Sequence, residues 1–389
     1  MQLCTINKPL LPNLKTLSWW GIEGSFIPFI PLFLSSRTTS IYLAFVHNNS
    51  PKAAVASIIT TLPTLCPNLQ AISLRALPRD PMITAAVFGV LLITNRNTLR
   101  CFDVDSPLTE EASEVLYELP NLRSLSVVIG RETALPSAPL PNLINLQITC
   151  DNEDGWPRLF HGAKFGKLKS VAFYPKSEEI GDFLEAFERV ALSSSIQNTL
   201  SELRLDTSFS WNSNYSSLLP FTQMVELDIQ SSCHGGCSST VDDDIIISLS
   251  RAMPKLEILG LGGTPCRQTT VGVTVKGLMA LAHHCPNLST LRTHLQAASL
   301  SDPLVIAGMV PNARPAASWT DCALTHLEVG ETPVPQGLTF VIALTLLRIF
   351  PRLDYIGFIG EGWEEVKNAT NHLKPIIDCP SKQRPFTTP

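Results

Sequence analysis

Apolar residues recur along this chain in one frame, L-x-x-L-x-L, whose first position falls at Leu14, Thr38, Leu69, Leu99, Leu122, Leu143, Leu168, Leu200, Met224, Leu256, Leu288, Leu324 and Leu353. The intervals between frames run from 21 to 36 residues, with a mean of about 28. Within a frame the second and third apolar positions alternate with polar ones, the period of a half-buried strand. The pairs expected to point inward are Leu17/Trp19, Ile72/Leu74, Phe102/Val104, Leu125/Val127, Leu146/Ile148, Val171/Phe173, Leu203/Leu205, Leu227/Ile229, Leu259/Leu261, Leu327/Val329 and Ile356/Phe358. A repeat of this length and frame predicts an α/β leucine-rich-repeat solenoid, with one strand and one helical or irregular return per unit. The expected form is right-handed and curved, with a parallel inner sheet and helices on the outer face. About eleven to thirteen irregular units are expected, because stacked units share one core however long the array runs.

Punctuation supports this division. Pro-Asn-Leu opens the frame at Pro12, Pro67, Pro120, Pro141 and Pro286, and Pro254-Lys255-Leu256 and Pro351-Arg352-Leu353 are variants. Proline cannot continue a helix and drives the preceding residue toward extended geometry, so it ends each return and releases the chain into the next strand. Helical returns are predicted over Glu178–Ile196, Ile245–Met253, Thr274–His284 and Leu338–Ile349. The first has an apolar stripe and Ser177 as N-cap, and the second follows Asp242-Asp243-Asp244, which favours a helix start. The shorter intervals should hold loops or single turns. Ser299–Trp319 carries Pro303, Pro311 and Pro315 without a period and reads as a loop insertion in an array spanning residues 1–378. A last amphipathic helix through Trp363, Val366, Thr370 and Leu373 is placed to close the array, and residues 379–389 read as a polar tail. Nothing equivalent precedes Leu14, so the expectation is either a preceding domain in a longer protein or a sequence that starts short.

Composition narrows the setting. The chain is 44% hydrophobic and 16% charged, with net charge −5. A buried leucine ladder accounts for that apolarity, since Ile83–Thr94 and Leu338–Leu347 fall short of the ~18 residues of a membrane span. An acidic balance offers no footprint for nucleic acid. No secretory signal opens the chain, and the ten cysteines lack a regular framework, so they are expected to be reduced in a cytoplasmic or nuclear protein.

Cys233-His234-Gly235-Gly236-Cys237 gathers three potential zinc ligands, but a complete site needs a fourth, and Cys266 is the nearest candidate one unit on. A Gly-rich turn is the preferred reading, with no metal or cofactor. His283 and His284 are expected to end a helix, where a partly positive imidazole suits the dipole. Gly260-Leu261-Gly262-Gly263 lacks the Gly-Lys-Ser/Thr ending of a phosphate loop and falls on a strand. No nucleophile, base and orienting group share a spacing that marks an active site, so no catalytic residue is assigned. The residues that alternate with the apolar pairs should instead form the working surface. Arg75, Asp103 and Asp105 lie on early rungs; Glu202, Arg204, Asp206, Glu226 and Asp228 lie centrally; Arg292, His294, His326 and Glu328 follow. The central and later groups are the candidate partner-binding residues of a concave face. The central carboxylates are expected to stand exposed and to contribute little to stability.

The Leu-x-Pro-Asn-Leu openings, the irregular units and the closing segment Phe350-Pro351-Arg352-Leu353-Asp354-Tyr355-Ile356-Gly357-Phe358, followed by Trp363, resemble the repeat region of fungal F-box proteins with leucine-rich repeats. The resemblance covers essentially the whole chain. It implies a non-enzymatic scaffold that holds a protein substrate for a cullin–RING ubiquitin ligase. No F-box is recognisable before Leu14, so a ligase adaptor is implied only for a longer form. The alternative class is a GTPase regulator like the leucine-rich activators of Ran. Those carry more regular units and an acidic tail, whereas this tail has Lys382 and Arg384.

Overall fold

The computed structural model describes residues 9–46, 50–78, 80–108, 114–116, 118–129, 140–150, 165–175, 187, 196–207, 215–231, 241–262, 272–301, 322–330, 332–358 and 360–377. The chain divides into two compact units, Met1–Leu200 and Ser201–Pro389. The first holds strands β1 (Thr16–Ile22), β2 (Ser40–Phe45), β3 (Ala71–Arg75), β4 (Cys101–Leu108), β5 (Ser124–Ile129), β6 (Asn145–Cys150) and β7 (Ser170–Pro175). The second holds β8 (Glu202–Thr207), β9 (Glu226–Ser231), β10 (Ile258–Leu261), β11 (Thr290–Thr293), β12 (His326–Val329) and β13 (Tyr355–Phe358). In each unit the strands are parallel and lie side by side in chain order. One strand follows each of the thirteen frames, including those that open on Thr38 and Met224.

The repeat is built into the backbone just before each strand. Two successive amides share one carbonyl of the preceding turn: Thr39 and Ser40 donate to Lys15, Gln70 and Ala71 to Thr39, Arg100 and Cys101 to Gln70. The same pair recurs in the second unit, from Val225 and Glu226 on Ser201 to Asp354 and Tyr355 on Thr325. The asparagine of Pro-Asn-Leu extends the ladder with its side chain. Asn121 Nδ2 donates to the Asn97 carbonyl at 2.8 Å and Asn142 Nδ2 to that of Pro120 at 2.9 Å. Proline stops the return, asparagine ties the turn to its predecessor, and leucine enters the core.

Register stacks the apolar positions into rows. In the first unit Leu17, Ile41, Ile72, Phe102, Leu125, Leu146 and Val171 are neighbours. In the second, Leu203, Leu227, Leu259, Leu291, Leu327 and Ile356 form the matching row, and every one is buried. The inward assignment made from alternation holds for every pair but the outermost two, where Leu17, Trp19 and Phe358 are only half-buried, and β2 adds Ile41 and Leu43 to it. At β11 the second inward position is Thr293, a buried hydroxyl in an otherwise apolar row.

Returns cover the leucine face. The first unit carries α1 (Lys52–Leu65) and then α2 (Pro81–Ala85), which widens into a π-helix over Ala86–Leu92. The second carries α3 (Asp243–Ala252), α4 (Val275–His284), α5 (Thr339–Ile349) and α6 (Trp363–Ile377). Three of the four predicted returns are thus present, and Glu178–Ile196 lies largely outside the described residues. The acidic triplet divides its work between two helices. Asp242 caps α3 through the Ile245 amide at 2.9 Å, while Asp243 accepts the amides of Thr274 at 2.9 Å and Gly277 at 3.1 Å, holding the start of α4. As expected, α6 closes the end of the second unit's core: Trp363 and Val366 are buried, and the Trp363 indole donates to the Thr332 carbonyl at 2.7 Å. No helix among the described residues is long and apolar enough to cross a membrane.

Candidate functional site

With leucines and helices on one side, the polar phase of each strand faces solvent. In the second unit register aligns it into two rows. One runs Glu202, Glu226, Ile258, Thr290, His326, Tyr355; the other runs Arg204, Asp228, Gly260, Arg292, Glu328, Gly357. Eight of the nine residues picked from the sequence thus stand on adjacent strands of one sheet face, and His294 directly follows β11. The geometry joins most of them into two clusters.

The first cluster resolves a conflict. Glu202 and Glu226 stand directly opposite each other, an arrangement that like charges disfavour. Arg204, one position along, closes a fork on Glu226, with Nε donating to Oε1 at 2.6 Å and Nη2 to Oε2 at 2.9 Å. Such bidentate, charge-assisted pairs are the stronger kind. The second cluster spans four strands, β9 to β12. Arg292 on β11 donates Nη1 to Asp228 Oδ2 on β9 at 3.0 Å, reaching across β10, and its Nε meets Glu328 Oε2 on β12 at 3.1 Å. Gln230 Nε2 donates to the same Asp228 oxygen at 3.0 Å.

Glycines make this reach possible. Gly260 lies between Asp228 and Arg292 in register, and a Cβ there would sit 2.0 Å from Asp228 Oδ1. That oxygen is buried without a hydrogen-bond partner and occupies the space that a side chain at position 260 would need. A row further on, the His294 ring lies across two more glycines. A Cβ at Gly330 would fall 2.0 Å from its Nδ1, and one at Gly262 2.9 Å from its Cδ2. Gly260 and Gly262, two residues of the run set aside as a poor phosphate loop, therefore leave the room that the Asp228 carboxylate and the His294 ring occupy.

Burial corrects one expectation. Glu226 and Asp228 are each only 8% exposed and are paired with Arg204 and Arg292, so they are structural members of the surface and not free carboxylates. Burial lifts the Asp228 carboxyl above its ordinary range, against the opposing pull of Arg292. Glu202, Arg204, Asp206, His326 and Glu328 keep substantial contact with solvent. Tyr355 was missed. It is 46% exposed and stacks beside His326 with ring centroids 5.6 Å apart. Its signal was its phase, since Tyr355 alternates with the inward Ile356.

The first unit spends its charges differently. Asp103 is held by Arg75 Nη2 at 2.6 Å and by Ser73 Oγ at 2.7 Å. Asp105 accepts the amides of Ala76 and Leu77, fixing a turn in which Ala76 takes φ +55°. Trp20 and Tyr42, also missed, stack on this face at 4.3 Å.

Other candidate chemistry is unsupported by the described groups. Burial pushes the Cys66 thiol up to about 11 and the Cys285 thiol up to about 12, so both stay protonated and unreactive. His283 and His284 do end α4, but His284 is lowered below the ordinary imidazole range, first by burial and then by His283 and Arg251. It is thus biased toward neutrality, contrary to the dipole argument. A cavity of about 230 Å³ beside α3 is lined by Tyr215, Ser216, Leu219, Asp242, Asp244, Ile245, Ser248 and Leu249; there the Ser248 hydroxyl donates to the Asp244 carbonyl at 2.7 Å and Asp242 accepts the Ile245 amide as helix cap. The Cys233–His234–Cys237 cluster and most of Ser299–Trp319 lie outside the described residues. Compared with known proteins, the chain matches no family model and no curated protein.

Proposed function

We propose that the protein is a non-enzymatic recognition scaffold of the leucine-rich-repeat type, resembling the substrate-binding part of an F-box subunit of a cullin–RING ubiquitin ligase. In this reading the polar sheet face of the second unit captures a protein partner. The observation that carries it is the ordered row Arg204, Asp228, Arg292, Glu328 over bare glycines, flanked by the exposed pair His326 and Tyr355. Tyrosine and arginine in a fixed, partly desolvated setting are the side chains that most often anchor protein interfaces. Because the ion pairs are already formed, little side-chain freedom is lost when a partner docks.

The test is affinity capture with the full chain, comparing wild type with His326→Ala/Tyr355→Ala. Both side chains are exposed, so their loss should leave melting unchanged while removing the partner from the captured set. Recovery of a cullin and its adaptor supports the ligase reading, and recovery of a small GTPase supports the regulator reading. The regulator reading has less behind it, because it needs an arginine delivered into a nucleotide site, and Arg204 and Arg292 are both engaged by carboxylates. A captured set identical for wild type and variant removes this face as the site.

A further inference from the structure

Charges in the first unit are treated differently along the strands and at their entries. Along the strands they are paired, as Arg75 is with Asp103. At the entries one row of residues joins turn to turn through the backbone: the Arg100 amide donates to the Gln70 carbonyl, Arg123 to Arg100, Ile144 to Arg123 and Lys169 to Ile144. Followed back through Thr39 to Lys15, this row holds no carboxylate in the first unit. In the second unit the same position carries Glu257 and Asp354 and no cation.

Arg100 and Arg123 are immediate neighbours in that row. The residues that follow them, Cys101 and Ser124, are paired in register, which sets the two arginines one strand spacing apart, ~4.8 Å. Both are exposed, and neither makes an ion pair or a side-chain hydrogen bond. Like charges so placed oppose the pairing of their strands. Further cations stand at the same entries. Lys167 Nζ donates to Asn142 Oδ1 at 2.9 Å, over the turn before β6, and that neutral amide leaves the lysine's charge in place. Arg96 is offset by Glu118 at 3.4 Å. Arg96, Arg100, Arg123 and Lys167 against Glu118 leave three positive charges, before the exposed Lys169 is counted, on a chain of net charge −5. Solubility does not account for them, since an acidic chain is kept dispersed by its carboxylates.

We propose that the entry edge of β4–β7 is a docking site for an acidic segment of a partner protein, laid across the strands in extended form. This site is separate from the polar face of the second unit and does not depend on what that face binds. Charge complementarity selects the occupant. Guanidiniums take carboxylates in two-bond forks, and two side by side can hold acids from one chain that crosses their strands. From β4 to β7 is three strand spacings, ~15 Å, which about five residues of extended chain cover. Asn145 and Ser170 follow the row and hold no side-chain hydrogen bond, so they can bond that chain's amides and carbonyls. A nucleic-acid strand fits less well. The adjoining row Cys101, Ser124, Asn145 and Ser170 has no ring on which a base could stack, and the chain's net charge repels a long polyanion.

The test is fluorescence anisotropy of a dye-labelled hexaglutamate peptide titrated with the full chain. Wild type should bind it saturably at low salt and more weakly as salt rises. Arg100→Gln/Arg123→Gln should weaken binding by roughly tenfold or more, whereas Arg100→Lys/Arg123→Lys should fall between, keeping the charge and losing the fork. Neither double variant should melt lower than wild type, because each change is at an exposed position and the first relieves a repulsion. Lys276→Gln/Arg348→Gln removes the same charge from the second unit and should leave the affinity within about twofold. Absence of saturable binding by wild type overturns the proposal. So does an equal loss in the edge and control variants, which would reduce the effect to bulk charge. Tighter binding of a dye-labelled hexathymidylate strand than of the peptide would also overturn it, in favour of nucleic acid.

Discussion

At the scale of single residues, Gly260 does the work that a sequence motif would have assigned to a ligand. Its missing side chain lets Arg292 reach Asp228 across an intervening strand. Gly260→Ala should therefore displace the Asp228 carboxylate and destabilise the fold by about 1–3 kcal/mol, as overpacking typically does. Urea denaturation measures this, and an unchanged midpoint would mean the bridge does not depend on the glycine. His284 governs a different response. Burial, followed by the charges of His283 and Arg251, lowers its pKa, so the folded chain holds this proton less tightly than the unfolded one. Its contribution is present above the ordinary imidazole pKa and is lost as pH falls through the lowered value. His284→Gln should flatten that acid limb of a melting-temperature profile. If wild type and variant decline in parallel below pH ~6.5, the imidazole is not responsible.

At the scale of elements, what could be read in advance is what has a period. Strands repeat an apolar alternation, so each one was legible, and so was the inward face of most of them. β2 and β11 escaped the list of inward pairs because Thr38 and Thr293 stand where an aliphatic residue was looked for. Thr38 settles its hydroxyl on the Leu14 carbonyl at 3.0 Å, but Thr293 Oγ1 is buried without a partner. Thr293→Val keeps the shape and removes the orphaned group, so it should raise stability by about 1 kcal/mol. Leu205→Asp, one strand row away from any compensation, should cost more than about 4 kcal/mol because it adds an unpaired charge to a lost core side chain. Thermal melts distinguish the two, and an unaffected Leu205→Asp chain would reverse the facing of β8. The candidate surface was legible only as far as phase goes. Which residues alternate outward could be stated, and all nine do lie on or next to that face. Pairing is set by reach across strands, which one-dimensional spacing does not encode. Hence Glu226 and Asp228 read as free carboxylates and proved to be buried partners of arginine. Tyr355, Trp20 and Tyr42 were absorbed into the apolar count although their phase pointed outward.

At the scale of the whole molecule, charge decides what kind of partner the proposed face would draw. On the polar face of the second unit five carboxylates, Glu202, Asp206, Glu226, Asp228 and Glu328, stand against two guanidiniums, Arg204 and Arg292, a surplus of three negative charges. The ion pairs hold the surface in one arrangement but leave that surplus in place, and it has the sign of the chain's net charge of −5. A partner segment rich in lysine or arginine is therefore expected. Its association should slow as salt rises, because exposed charges are screened beyond ~8 Å at physiological ionic strength. Glu202 and Asp206 allow a clean separation, since changing them leaves the Arg204–Glu226 and Arg292–Asp228 pairs intact. Glu202→Gln/Asp206→Asn should lower the association rate of the captured partner by roughly threefold to tenfold at low salt and leave its dissociation rate nearly unchanged. Wild type and variant should converge in high salt, with equal melting temperatures throughout. Changing Glu226 and Asp228 instead should lower the melting temperature first, because it strands two arginines whose partners are buried. An association rate that ignores salt, or a double variant that dissociates faster without associating more slowly, would remove long-range attraction from the account of this face and leave contact at His326 and Tyr355 as its basis.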